Sequence, residues 1–173
     1  MNLFETEHLT IRQFRAGDAE RLYEYHLDEK VQKWMPNESY KSVEEAGEAI
    51  AFYSDCTEKE QLPFVLAVEL KETGELIGDT GINEVVGKPR EVEIGFVISD
   101  RYSNRGYATE LVEAMTIFAF EKFDIETLYG RVMHGNDASV RVLEKAGYTF
   151  LKEEFDAEDD PYWNGMLVYV RKR

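Results

Sequence analysis

The chain has 173 residues, of which 43% are hydrophobic and 13% aromatic, enough apolar surface for the core of one folded domain. Its 35 acidic residues outnumber 20 basic ones and give a net charge of −15, which argues against nucleic-acid binding because such binding depends on Lys and Arg. The one cysteine, Cys56, excludes an intrachain disulfide and a cysteine-rich zinc site.

The ends and the hydropathy of the chain predict a cytoplasmic protein. The N-terminus lacks the basic start and apolar core of a signal peptide, and no segment approaches the ~18 apolar residues of a membrane span. We therefore expect a single domain over residues 1–173 with neither a membrane nor a nucleic-acid partner. Both a monomer and a homodimer are compatible with the sequence.

The first half of the chain predicts one strand, two helices and then three consecutive strands. Alternating apolar and polar residues predict a strand from His8 to Phe14. Helical spacing after Asp18 predicts one helix, and Ser42 with Glu45 forms a capping box that begins a second. The three strands that follow are predicted at Phe64–Val68, Leu76–Gly78 and Val92–Ile98.

The second half alternates helices and strands. A long central helix is predicted from the apolar face that runs from Ala108 to Ala119. The remaining elements are predicted as a strand at Leu128–Met133, a helix at Asn136–Ala146 closed by Gly147, and strands at Tyr148–Phe155 and Gly165–Arg171. This order predicts a mixed sheet with helices on both faces.

Several common catalytic signatures are absent from the sequence. The phosphate-binding loop, the dinucleotide fingerprint, the zincin motif and the serine-hydrolase elbow all fail to match. The three histidines, His8, His26 and His134, lack the short spacings of metal ligands. No metal is therefore expected.

The segment Ser103–Thr109 lies between a predicted strand and the start of the long helix. A strand, a loop with small residues and a helix bring free backbone N–H groups and the positive end of the helix to one point, which suits a pyrophosphate. Arg105 would add positive charge. The alternative interpretation is that Gly106 and Ala108 only allow the helix to pack closely against the sheet.

A second motif, Asn136–Ser139, opens the following helix, although Asn136 alone could be a simple N-cap. Together with Glu93–Phe96 on the preceding strand, the two motifs resemble the GNAT superfamily of acyl-CoA-dependent N-acetyltransferases. Within it the chain looks most like the RimJ/RimL branch of ribosomal-protein N-terminal acetyltransferases. The resemblance implies an α/β (α+β) fold, with a central mixed, mostly antiparallel twisted sheet of about seven strands flanked by about four helices.

The resemblance also implies acetyl-CoA as cosubstrate and assigns its binding residues. Strand backbone contacts pantetheine, the loop before the helix cradles the pyrophosphate, and the motif asparagine contacts pantetheine. The implied cofactor-binding residues are Phe96, Val97, Ile98, Ser103, Asn104, Arg105, Gly106, Tyr107, Ala108, Thr109 and Asn136. Ser103 departs from the Gln or Arg that usually begins this loop, but backbone N–H groups do not depend on the side chain.

Two residues are candidates for the catalytic proton transfers. Glu93 is the candidate base, acting directly or through a water, and its alternative is an exposed strand glutamate. The family resemblance suggests that the N–H of Val97 polarises the thioester oxygen. Some relatives carry a tyrosine acid where this chain has Leu143, so Ser139 is the candidate acid, with a helix-capping serine as the alternative.

The acceptor is expected to be a primary amine, first a protein or peptide N-terminus and second a polyamine or an aminoglycoside. A non-catalytic acyl-CoA-binding module is the rival hypothesis. Acidic side chains could attract a cationic acceptor or form a solvated surface. The acidic and aromatic groups in question are Glu44, Glu45 and Glu48, the run Glu153–Asp160, and Pro161–Trp163. Residues Trp34–Pro36 form either an apolar wall beside the acceptor or part of the core.

Overall fold

The computed structural model describes residues 1–155 and 165–173. The strands are β1 (Asn2–Glu5), β2 (Leu9–Arg12), β3 (Phe64–Leu70), β4 (Leu76–Glu84), β5 (Glu91–Ile98), β6 (Thr127–Met133), β7 (Thr149–Glu154) and β8 (Met166–Lys172). The helices are α1 (Ala19–His26), α2 (Glu29–Trp34), α3 (Val43–Glu58), α4 (Tyr107–Lys122) and α5 (Asp137–Lys145), with short 3-10 turns at Ala16–Asp18 and Asp100–Tyr102.

The strands form one sheet in the order β1-β2-β3-β4-β5-β6-β8-β7, in which β5 and β6 are parallel and every other pair is antiparallel. The predicted mixed, mostly antiparallel sheet is therefore confirmed. The expected numbers of strands and helices were each one too low, because β1 and α2 were missed. Both elements are short, with 4 and 6 residues, and α2 buries only Val31, so neither has a readable hydrophobic period.

Helices cover both faces of the sheet, as predicted. Successive residues of β3 belong to different cores, since Leu66 and Val68 join one cluster and Ala67 joins the other. The first cluster packs α4 and α5 against the sheet, and the second packs α1 and α3. None of the helices in the described ranges combines the length and apolar character needed to cross a bilayer.

The capping box predicted for α3 forms only in part. The Ser42 hydroxyl accepts the Glu45 N–H at 3.1 Å, which satisfies one of the unpaired donors of the first turn. The Glu45 carboxylate accepts the N–H of Lys41 rather than that of Ser42. The helix therefore begins where the sequence predicted, with its second bond displaced by one residue.

The sheet opens between β5 and β6. Strand β5 pairs with β4 along its length, from Val92 to Ile98, but it pairs with β6 only over Glu91–Glu93. From Ile94 onward the side of β5 that faces β6 has no strand partner within the described residues. This open edge of β5 is where the candidate site lies.

We expect Gly78→Ala to destabilise the protein strongly. A Cβ at Gly78 would lie 2.0 Å from the carbonyl oxygen of Val97, so β4 and β5 would have to separate, at a cost of about 3 kcal/mol. Gly47→Ala within α3 is the control, because its Cβ would meet only the Ala19 side chain at 3.9 Å and helix propensity favours alanine by up to about 1 kcal/mol. Equal free energies of unfolding in urea for the two variants would contradict this packing argument.

Candidate active site

A cavity of about 540 Å³ opens where β5 and β6 separate. Its walls come from α2, β5, the start of α4, β6 and α5. Twelve of the thirteen predicted site residues line it: Glu93, Phe96, Val97, Ile98, Ser103, Asn104, Gly106, Tyr107, Ala108, Thr109, Asn136 and Ser139. Arg105 does not, and its guanidinium carbon lies 5.5 Å from the centroid of the Tyr102 ring.

The direction of the backbone groups along β5 follows from its pairing with β4. The Ser99 N–H donates to the carbonyl of Ile77 at 2.8 Å, and hydrogen-bonded pairs alternate along an antiparallel ladder. In the observed register, Val97 is therefore bonded to Asp79. The Val97 N–H predicted to reach the thioester thus points at β4, and the backbone groups of Phe96 and Ile98 face the cavity.

The start of α4 presents unpaired N–H groups to the same cavity. Gly106 is the N-cap with φ +83°, and the first intrahelical bond runs from the Glu110 N–H to the Gly106 carbonyl at 3.1 Å. The N–H groups of Tyr107, Ala108 and Thr109 therefore have no partner inside the helix. With the positive end of the helix behind them, these groups form a site for an anion.

Three cationic side chains that sequence analysis missed line the cavity that contains this anion site. Lys30 places its Nζ 3.4 Å from the Ser103 hydroxyl, and Arg141 and Lys145 line the cavity from α5. Lys30 escaped notice because α2 was not predicted. Arg141 and Lys145 are four residues apart on α5, so the predicted N-cap at Asn136 would have placed them on one face.

Glu93 lies half-buried on the cavity wall. Burial raises its pKa above the ordinary value, the positive charge of Arg131 opposes that rise, and the charges of Glu154 and Glu38 add to it. Arg131 also donates to the Glu154 carboxylate at 2.7 Å. A carboxylate with a raised pKa is a stronger base, so the environment of Glu93 suits proton abstraction.

The start of α5 is held by Asn136, whose side-chain oxygen accepts the Ser139 N–H at 3.4 Å. Ser139 is half-buried and lines the cavity. Tyr148 bonds the Thr116 hydroxyl at 2.8 Å in the core, so its hydroxyl is engaged away from the cavity.

Within residues 1–155 and 165–173 there is no cluster of three His, Cys, Asp or Glu side chains that could hold a metal ion.

A second cavity of about 370 Å³ adjoins the first on the side of α1 and α3. The two share Met35, Glu38, Asn83, Gly95, Phe96 and Val97 in their walls. Trp34 and Met35 line the first cavity and Met35 also lines the second, whereas Pro36, Glu44, Glu45 and Glu48 line neither. The apolar wall beside the acceptor stays a prediction. Of the second acidic group, Asp156 to Asp160 and Pro161–Trp163 lie outside the described residues.

Comparisons with known proteins place the chain among acetyltransferases. Residues 8–149 match the profile of the acetyltransferase (GNAT) domain family. In Bacillus subtilis the uncharacterized N-acetyltransferase YoaA is 26% identical over 99% of this chain and 98% of its own, and the uncharacterized N-acetyltransferase YnaD is 29% identical over 82% and 79%. The structure of RimL, a ribosomal L7/L12 α-N-protein acetyltransferase in complex with coenzyme A, superposes with a TM-score of 0.82 at 16% identity, covering 99% and 98% of the two chains.

Proposed function

Because the chain belongs to the GNAT family of acetyl-CoA-dependent N-acetyltransferases, we propose that it acetylates the N-terminal α-amine of a protein or peptide, as members of the RimJ/RimL branch do. The proposal rests on one observation: the two cavities adjoin, and Phe96 and Val97 lie in the walls of both. An amine at the junction of the two cavities can reach a thioester in the first directly. Cys56 is buried on α3 and lines neither cavity, so no acyl-enzyme is needed.

In this proposal the first cavity holds acetyl-CoA. The unpaired N–H groups at the start of α4 bind the pyrophosphate, and the neighbouring charges of Lys30, Arg141 and Lys145 attract the phosphates. The pantetheine arm lies along the open edge of β5 and beside Asn136. An N–H of Phe96 or Ile98, rather than that of Val97, then polarises the thioester oxygen. A complex with acetyl-CoA tests this, since the oxygen should lie within about 3.2 Å of one of those two nitrogens.

Glu93 then acts as the base, directly or through a water. An α-amine has an ordinary pKa of about 7.7–8.0 and is partly neutral at pH 7, whereas a lysine side chain at about 10.4 costs roughly 3–4 kcal/mol more to deprotonate. One half-buried carboxylate is thus adequate for an α-amine. The C–S bond breaks as the new C–N bond forms, and Ser139 relays a proton from solvent to the departing thiolate. Little assistance is needed, because a thiol has a pKa of about 8.5.

The experiment that tests the proposal measures thiol release from acetyl-CoA by the purified protein. The acceptors are peptides with free N-termini, N-blocked lysine peptides, polyamines and aminoglycosides. We expect release with the free N-termini and not with the N-blocked peptides. Release with polyamines or aminoglycosides alone would show that the acceptor is a small amine and not a peptide. Silence across the panel, with acetyl-CoA still raising the melting temperature, would favour an acyl-CoA-binding module.

We also propose that this activity takes place in the cytoplasm. A single domain with one buried cysteine suits the reducing cytoplasm, where ribosomal proteins and most free peptide N-termini are made. The proposal holds for a monomer and for a homodimer alike, since the two cavities are lined by one chain. Sedimentation at working concentration decides between the two states.

A further inference from the structure

The second cavity combines carboxylates with aromatic rings. Asp79 and Glu38 supply the carboxylates, and Tyr40, Tyr53 and Phe52 supply the rings. Carboxylates and ring faces both attract cations. The reacting amine needs only the junction with the first cavity, so this lining is available to another part of the acceptor.

Asp79 keeps one carboxylate oxygen for a ligand. Its Oδ2 accepts the Tyr25 hydroxyl at 2.6 Å and faces the His26 Nε2 at 2.9 Å. Its Oδ1 has no hydrogen-bond partner in the part of the chain that the structure describes. The negative charge of Asp79 contributes to raising the pKa of Glu38 and of Tyr40, in both cases after the larger effect of burial. The charge of His26 opposes the rise at Glu38 and so offsets part of this negative charge, and a cation in the cavity would offset more of it.

His26 gives a second, independent sign of a ligand. The residue is 2% exposed, and its Nδ1 is buried without a hydrogen-bond partner among the described residues. An unpaired polar atom in such a place is costly. Burial lowers the pKa of His26, but the hydrogen bond and the charge of Asp79 outweigh this effect and raise that pKa above its ordinary value. In the protonated form that this favours, Nδ1 is a donor, and an acceptor oxygen of a bound ligand would satisfy it.

We propose that the second cavity binds a second positively charged group of the acceptor, so that the enzyme prefers amines that carry another cationic group a few bonds away. The inference rests on the proposed function, because the reacting amine is assigned to the junction of the two cavities. Two sources share this chemistry: a peptide that begins with lysine or ornithine, and a small diamine. The second cavity, with a volume of about 370 Å³, can accommodate either the charged side chain of such a peptide or a small diamine.

Matched acceptors test the preference. Lysyl-alanyl-alanine and norleucyl-alanyl-alanine differ in the charged end of one side chain, and 1,3-diaminopropane and propylamine differ likewise. We expect kcat/KM to favour the charged member of the matching pair by about tenfold or more, as a charge-assisted contact provides. The pair that shows the preference identifies the source of the charge. Equal kcat/KM values within both pairs would overturn the inference and leave the proposed function intact.

Glu38→Gln is the decisive variant, because Glu38 lies on the connection between α2 and α3, outside every helix and strand, and its replacement should not disturb the core. We expect it to reduce the preference severalfold. Glu48→Gln is the matched control, since Glu48 is exposed on α3, lines neither cavity and changes the net charge equally. Asp79→Asn should act more strongly but also loosens Tyr25 and His26. An identical preference in the Glu38 and Glu48 variants would contradict the assignment.

A binding measurement separates failure of this inference from failure of the proposed function. Calorimetry on the protein loaded with CoA compares the affinities of the two tripeptides without any transfer. Tenfold tighter binding of the lysyl peptide supports a cation site even if no amine in any panel is acetylated. The same measurement is made with 1,3-diaminopropane and propylamine, and equal affinities within both pairs overturn the cation site whatever the outcome of the activity assay.

Discussion

Ala108→Asp is expected to lower the affinity for acetyl-CoA by about 100-fold or more while leaving the fold intact. Ala108 is half-buried in the first turn of α4 and lines the first cavity. A carboxylate there would face a pyrophosphate with a repulsion of roughly 3–4 kcal/mol at intermediate dielectric. The same carboxylate stabilises a helix N-terminus by about 0.3–1 kcal/mol. Ligand affinity and folding stability should therefore change in opposite directions.

Ala108→Asn is the control for this prediction, because asparagine has the same shape without the charge. Titration of both variants with acetyl-CoA, beside urea unfolding without ligand, gives the two free energies separately. If the Asp and Asn variants bound acetyl-CoA with affinities within about threefold of each other, the anion site at the start of α4 would be misassigned. A large loss of stability in the Asp variant would make the affinity uninformative, and Thr109→Asp in the same turn would then replace it.

Glu93→Gln is expected to lower kcat by about 100- to 1000-fold, the range typical of losing a general base, with little change in affinity for acetyl-CoA. Burial raises the pKa of Glu93, and the base acts in its deprotonated form. The wild-type kcat/KM should therefore rise with pH through this raised pKa and again through the α-amine pKa near about 7.7–8.0. The variant should lose the lower rise and keep the upper one.

Stability distinguishes this catalytic role from a structural one. A raised pKa means that the folded state favours protonated Glu93, so the cost of ionising it appears as the pH rises through that pKa. The Gln variant avoids this cost and should be at least as stable as the wild type at neutral pH. Glu91→Gln is the matched control on the same strand, since Glu91 accepts the Tyr129 hydroxyl at 2.6 Å and does not line the cavity.

Ser139→Ala should have a much smaller effect than Glu93→Gln. Because a thiolate needs little help to leave, we expect a loss of less than about tenfold in kcat. If the Glu93→Gln variant turned over as fast as the wild type at every pH, a group other than Glu93 would take the proton. Glu38 is then the next candidate, since it lies in the walls of both cavities.

Local patterns predicted most of the elements and the positions of the two motifs. Each of three signals depends only on a few neighbouring residues: the alternation along β5, the N-cap at Asn136 and the glycine before α4. Glu93 and Ser139 followed from the family resemblance, and the structure places both on the wall of one cavity. Helix α2 was not predicted, because six residues with one buried side chain show no recognisable hydrophobic periodicity. Lys30, which lies on this helix, was missed for the same reason.

Other parts of the site depend on contacts between distant segments. Which backbone groups of β5 face the cavity is decided by its register with β4, and the sequence of β5 alone could not distinguish Val97 from Phe96. The second cavity unites Asp79 on β4 with His26 on α1 and Tyr53 on α3. His26 and Asp79, which approach each other to 2.9 Å, are separated by 53 residues in the chain, beyond the reach of any local pattern.

The gap between β5 and β6 also bears on solubility. An unpaired strand edge is a template on which another polypeptide can add a strand, and natural sheets usually guard it with charge, proline or a bulge. Here the exposed edge of β5 lies inside a cleft walled by α4 and α5. An incoming strand carries side chains on both faces, which such a cleft obstructs, whereas a thin unbranched arm can enter. The recess thus protects the edge against aggregation while leaving it open to its small-molecule ligand.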